Sequence, residues 1–129
     1  MAATGSKPTL DQRRAKHAWG VVQQAKQLDE RSRKDFGRNA KKLPIRIHTA
    51  GLGHALAFLE AKRKAKELYD ALSAWVLQER LRLKERSLIE AIIGGDSDRL
   101  RRATDEALAY LQWLNRFAEA EGLVSDEED

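Results

Sequence analysis

The sequence predicts an all-α protein, a single-domain bundle of five or six helices with no sheet. Three observations carry that prediction. Apolar residues recur at i, i+3 or i+4, and i+7 through most of the chain, the spacing of one helix face. The one alternating stretch, Ile45-Arg46-Ile47, has no second strand to pair with, and an isolated strand is unstable in water. Charged residues make up 34% and hydrophobic residues 42% of 129 residues with only two prolines, a balance that suits a folded helical chain rather than a disordered one.

The elements follow in order. Residues 1–8 read as a flexible tail, 9–122 as the helical domain and 123–129 as an acidic tail, expected to be mobile. Thr9 with Gln12 forms a capping box that starts the first helix just after Pro8. Its expected buried stripe is Ala15, Ala18, Val22, Ala25 and Leu28. Asp29 to Lys42 reads as a charged helix with a narrow apolar edge at Phe36 and Ala40, which Gly37 weakens by about 1 kcal/mol relative to alanine. Leu43 to Phe58 reads as a helix with Pro44 in an early turn or a kink, a stop at Gly51 and a restart at Gly53. Ala55, Leu56, Phe58 and Leu59 are expected to turn inward. From Ala65, the residues Leu68, Leu72, Trp75, Val76 and Leu81 give a long amphipathic helix ending near Glu85. Ser87 with Glu90 caps a short helix that Gly94-Gly95 stops, and Asp96 or Ser97 caps the last one. That helix is expected to bury Leu100, Ala103, Ala107, Tyr110, Leu111, Leu114 and Ala118, and to end at Gly122.

Composition narrows the chemistry. There is no cysteine, which removes disulfides, thiol catalysis and cysteine-ligated zinc. His17, His48 and His54 have no metal-ligand spacing. Gly51-Leu52-Gly53 is no phosphate loop, because no strand precedes it and no GK[ST] follows. Carboxylates such as Asp105, Glu106, Glu119 and Glu121 read as solvated faces. No catalytic constellation, metal site or cofactor is expected. Nothing resembles a membrane span or a signal peptide, so a cytoplasmic location is expected. The Arg-rich, cysteine-free composition with two asparagines hints at a thermophilic source.

The net charge of +4 conceals an asymmetry. Residues 1–66 carry 16 Lys and Arg against 5 Asp and Glu, a net of +11, whereas residues 67–129 carry 8 against 15, a net of −7. A basic half points to a polyanion, nucleic acid first; a solvated surface that meets its own acidic half is the alternative. Arg13 and Arg14 lie on the first helix. Arg31, Lys34, Arg38 and Lys41–Lys42 fall along one side of the second, with Arg46 beyond. Such a row can track a phosphate backbone without reading sequence. Trp19 and Trp113 lie off the main apolar stripes, where an exposed indole suits a protein contact as well as a base.

Two stretches carry a resemblance. The first contains Leu43-Pro44, Ile47, Gly51-Leu52-Gly53 and Ala55-Leu56-Ala57-Phe58. The second contains Thr104, Glu106-Ala107-Leu108-Ala109, Trp113-Leu114 and Arg116-Phe117-Ala118. Together they resemble the small helical subunit of type III-B CRISPR effector complexes, the Cmr small subunit, over Leu10 to Glu121. His54 and Thr49-Ala50 depart from the family pattern. The resemblance implies an all-helical, non-catalytic scaffold for antiviral RNA silencing. Its partners would be the guide–target RNA, other subunits of the complex and neighbouring copies of itself, while RNA cleavage belongs to another subunit. Arg13, Arg14, Arg31, Lys34, Arg38, Lys41, Lys42 and Arg46 are the candidate backbone contacts. A protein adaptor that binds acidic protein surfaces without touching RNA is the alternative.

Overall fold

The computed structural model describes residues 6–62 and 65–124, so most of each expected tail lies outside the described residues. Six α-helices and one π-helical segment follow one another, and no strand occurs among the described residues. They are α1 (Leu10–Ala25), α2 (Glu30–Ala50), α3 (Leu52–Lys62), α4 (Lys66–Leu72) running into the π-helix Ser73–Leu81, α5 (Leu88–Gly94) and α6 (Ser97–Ala120).

The expected caps form. Thr9 and Gln12 bond each other reciprocally at the start of α1. The Ser87 and Asp96 side chains accept from the third residue of α5 and α6, and Asp29, not named as a cap from the sequence, accepts likewise from Ser32 in α2. Each satisfies a donor that a helix N-terminus otherwise leaves orphaned.

Three features differ from the sequence expectation. First, α2 runs unbroken through Pro44, where a turn or kink is expected. Proline cannot donate to the carbonyl of residue i−4, here Ala40. Asn115 of α6 donates its Nδ2 to that carbonyl at 2.9 Å. A donor from a neighbouring helix thus replaces the missing backbone one, and a single 21-residue helix results. Second, the long helix after Ala65 changes to π-helix at Ser73, which brings three consecutive residues, Trp75, Val76 and Leu77, into the core. It ends at Arg82 in the left-handed conformation (φ 55°), earlier than expected. Third, Leu100 is 40% exposed, whereas the rest of the predicted α6 stripe is buried.

Two glycines act through the backbone. Gly51 closes α2 at φ 94°, ψ 160°, a region open essentially to glycine alone. Gly37 has a different reason. The end of α6 turns at Gly122 (φ 78°), and the Leu123 amide donates to the Ala118 carbonyl at 2.8 Å. This Schellman-type turn lays the Leu123 backbone on α2. A Cβ at Gly37 would stand 2.0 Å from the Leu123 carbonyl oxygen. Gly37 is therefore a close-approach residue, not merely a weak spot in a helix.

The core joins Ala18 and Val22 of α1, Phe36 and Leu43 of α2, Leu56 of α3, Leu68 of α4, Trp75 of the π-helix, Leu88 of α5, and Tyr110, Leu111 and Leu114 of α6. Burying each leucine contributes about 1.5–3 kcal/mol. The α1 and α6 helices form the main pairing, and α2 packs on α3 and α6.

Candidate nucleic-acid interface

The unbroken α2 decides the arrangement of the cations. Its buried face is Phe36, Ala40, Leu43 and Ile47. At 100° per residue, Arg31, Lys34, Arg38, Lys41 and Lys42 fall on the opposite side. Arg31, Lys34, Arg38 and Lys42 are exposed and Lys41 is half-buried. With a rise of 1.5 Å per residue, the row from Arg31 to Lys42 spans about 16 Å. Lys34 meets Glu30, and Arg38 meets Asp35, each at 3.5 Å. Lys34–Glu30 is an exposed i, i+4 pair of small net value, which a phosphate can displace. Ile45 lies amid this face and is 69% exposed.

The other three candidates lie elsewhere. The Arg46 guanidinium sits 3.9 Å from the centroid of the Phe58 ring. This cation–π contact ties α2 to α3, and it leaves Phe58 half-buried rather than turned fully inward. Arg13 lies 5.9 Å above the Trp75 ring. It lines a groove of about 910 Å³ between α1 and the α4–π-helix segment, with Lys16 and His17 on one wall and Glu67, Asp70 and Glu79 on the other. The eight cations therefore do not form one stripe: five share the α2 face.

Arg14 points inward. Its Nε donates to Glu106 Oε2 at 2.6 Å and its Nη2 to Oε1 at 3.1 Å, while Nη1 donates to Asp11 at 3.1 Å. With its guanidinium committed to two carboxylates, Arg14 is a structural cation rather than part of an exposed phosphate row. Glu106 corrects a second expectation: it is buried at 6% exposure, not solvated. Trp75 Nε1 donates to Oε2 at 2.8 Å and Arg80 Nε to Oε1 at 3.1 Å. Burial alone would raise the Glu106 carboxyl; the bonds from Arg14, Trp75 and Arg80 outweigh it and hold its pKa at about 2. A buried carboxylate is tolerated here because it is paired and hydrogen-bonded on both oxygens. The sequence carried a signal for it. Glu106 lies three residues after Ala103 and four before Tyr110, on the edge of the apolar stripe.

Beside this cluster, His17 Nδ1 is 2.7 Å from the Tyr110 hydroxyl, and Trp75 stacks on Tyr110 at 5.8 Å and 13°. Burial lowers the His17 pKa, against an opposing pull from Glu79. Burial also raises the Tyr110 hydroxyl. On the α1–α6 seam, Trp19 is 44% exposed and meets Phe117 edge-on at 5.1 Å, while Trp113 donates its indole N–H to Asp11. Among the described residues, no group of three or more His, Asp or Glu could hold a metal ion. No helix among them is long and apolar enough to cross a membrane.

Comparison with known proteins agrees with this architecture. The family model described as "CRISPR-associated protein (Cas_Cmr5)" matches residues 10–121. A curated relative, the CRISPR system Cmr subunit Cmr5 of Thermus thermophilus, is 33% identical over 106 residues, covering 82% of this chain and 90% of the relative. The crystal structure of a CRISPR-associated Cmr5 family protein, also from Thermus thermophilus, superposes with a TM-score of 0.75 at 31% identity, covering 92% of this chain and all of that one.

Proposed function

We infer that this chain, which belongs to the Cmr5 family of CRISPR-associated proteins, is the non-catalytic scaffold subunit of a type III-B RNA-silencing complex that contacts the guide–target RNA through the α2 face. Family membership supports a small subunit of the Cmr complex, with other effector subunits as partners. The RNA contact rests on one observation: a single unbroken helix presents Arg31, Lys34, Arg38, Lys41 and Lys42 on the side opposite its core residues. Helical spacing lets such a row follow a phosphate backbone while reading no base. The basic first half and acidic second half also suit contacts between neighbouring copies, head to tail and open-ended. In this reading catalysis belongs to other subunits, and membership of that complex supports a cytoplasmic location.

One observation favours a protein contact instead. Ile45, within the cationic face, is 69% exposed, and a phosphate backbone offers an isoleucine little. Crosslinking of the assembled complex separates the two readings. Adducts from α2 to RNA bases or sugars support the RNA contact. Adducts to protein alone support the adaptor reading, in which α2 binds an acidic protein surface.

A further inference from the structure

The π-helix Ser73–Leu81 sits where several local costs coincide. The π-helix is a rare form with i→i+5 hydrogen bonds, and this one runs for nine residues. At its start, the Ser73 hydroxyl is buried without a hydrogen-bond partner among the described residues. At its end, Arg82 holds a left-handed backbone at φ 55°, which favours glycine over any side chain. The Leu77 carbonyl closes the end by accepting from both the Arg82 and the Leu83 amides. Nothing in the sequence of this segment demands the π form. Leu72, Val76 and Leu81 fit an α-helix, as the sequence expectation had it.

What the π form achieves is visible at Glu106. Trp75 and Arg80 are five residues apart, and both donate to the same carboxylate. In an α-helix, five residues turn through 500°, so the two side chains would leave the axis about 140° apart. In i→i+5 geometry they rise from the same side. Glu106 also receives both Nε and Nη2 of Arg14 from α1. One buried carboxylate therefore joins α1, α6 and the π-helix and requires the unusual register of the last.

We propose that Ser73–Leu81 is a two-register element, latched in its π form by Trp75 and Arg80 on Glu106, whose α register reorients Glu79 in the groove facing α1. Trp75 and Glu79 line that groove opposite Arg13, Lys16 and His17. The Glu79 part of its acidic wall thus depends on the register, while Glu67 and Asp70 on α4 stay fixed, and a partner that favours one arrangement of the groove biases the latch. Strain held at one segment and offset by a single satisfied carboxylate is the form such a bistable element takes.

The test is made on the full chain by NMR. The wild type should give Hα(i)–HN(i+5) contacts across 73–81. The Glu106→Gln variant, similar in shape but unable to bind three cationic and indole donors as a carboxylate does, should replace them with the i+3 and i+4 contacts of an α-helix, while α6 resonances from Leu111 to Ala118 persist. An intact π pattern in Glu106→Gln, or an α pattern already in the wild type, overturns the proposal. Should that variant fail to fold, Arg80→Met removes one arm of the latch at a half-exposed position. It should speed amide exchange at 77–81 by about tenfold or more relative to α1 and α6, a local opening rather than a global one. Exchange at 77–81 that stays level with those helices overturns it as well.

Discussion

Glu106 shows how much one residue can organise. Its carboxyl is held at about 2, below its ordinary 4.5, by the bonds from Arg14, Trp75 and Arg80 that outweigh its burial. A carboxyl depressed by folding stabilises the fold fully above the ordinary value, and that contribution is lost as pH falls from 4.5 towards about 2. The thermal midpoint of the wild type should therefore fall across that interval more steeply than that of Glu106→Gln, and parallel curves would refute the ionised pairing. Removing one partner of a buried ion pair costs about 3–5 kcal/mol. Glu106→Ala should therefore lower stability by about that amount in denaturant melts. Arg14→Ala should cost more than Arg80→Ala, because the Arg14 side chain is 18% exposed against 34% for Arg80. The sequence stripe marked Glu106 only as a boundary residue. Its three donors come from positions 14, 75 and 80, and no local spacing brings those together.

Among the elements, α2 depends on a neighbour for its continuity. Asn115 supplies the Ala40 carbonyl with the donor that Pro44 lacks. Asn115→Ala should cost about 1–3 kcal/mol, the penalty of an unsatisfied buried acceptor. The same change should cost less in a Pro44→Ala background, where residue 44 regains its N–H. A double-mutant cycle by chemical denaturation measures the coupling, and strict additivity would contradict it. The end of α2 allows a cleaner prediction. An added Cβ at Gly51 meets nothing within 4 Å, so Gly51→Ala tests backbone conformation alone and should cost about 1–3 kcal/mol. Helix starts were legible from Thr9, Ser87 and Asp96, because caps act within three residues. The path through Pro44 and the π register at Ser73 were not. Both are set by side chains of α6 that lie far along the chain.

At the scale of the whole molecule, the charge asymmetry is resolved into two uses. Part of the basic half turns inward or across the chain to its acidic half: Arg14 to Glu106 and Lys26 to Glu121 at 2.7 Å. Of the others, Arg31, Lys34, Arg38, Lys41 and Lys42 share the outer side of α2, whereas Arg13 and Lys16 line the groove beside α4. The bundle, most of its helix boundaries and the α2 row could be read from periodicity, whereas the separation of Arg13, Arg14 and Arg46 from that row required the packing. The central claim is that the α2 face meets RNA backbone. It is tested most directly by the salt dependence of target RNA binding to the reconstituted complex, with this subunit wild type or carrying Arg38→Glu, Lys41→Glu and Lys42→Glu together. If those residues neutralise phosphates, the slope of log K against log salt should become shallower by about 0.7–0.9 for each phosphate no longer neutralised, about two in all, with affinity at low salt reduced at least about tenfold. An unchanged slope and unchanged low-salt affinity, in a complex that still assembles, would contradict the claim.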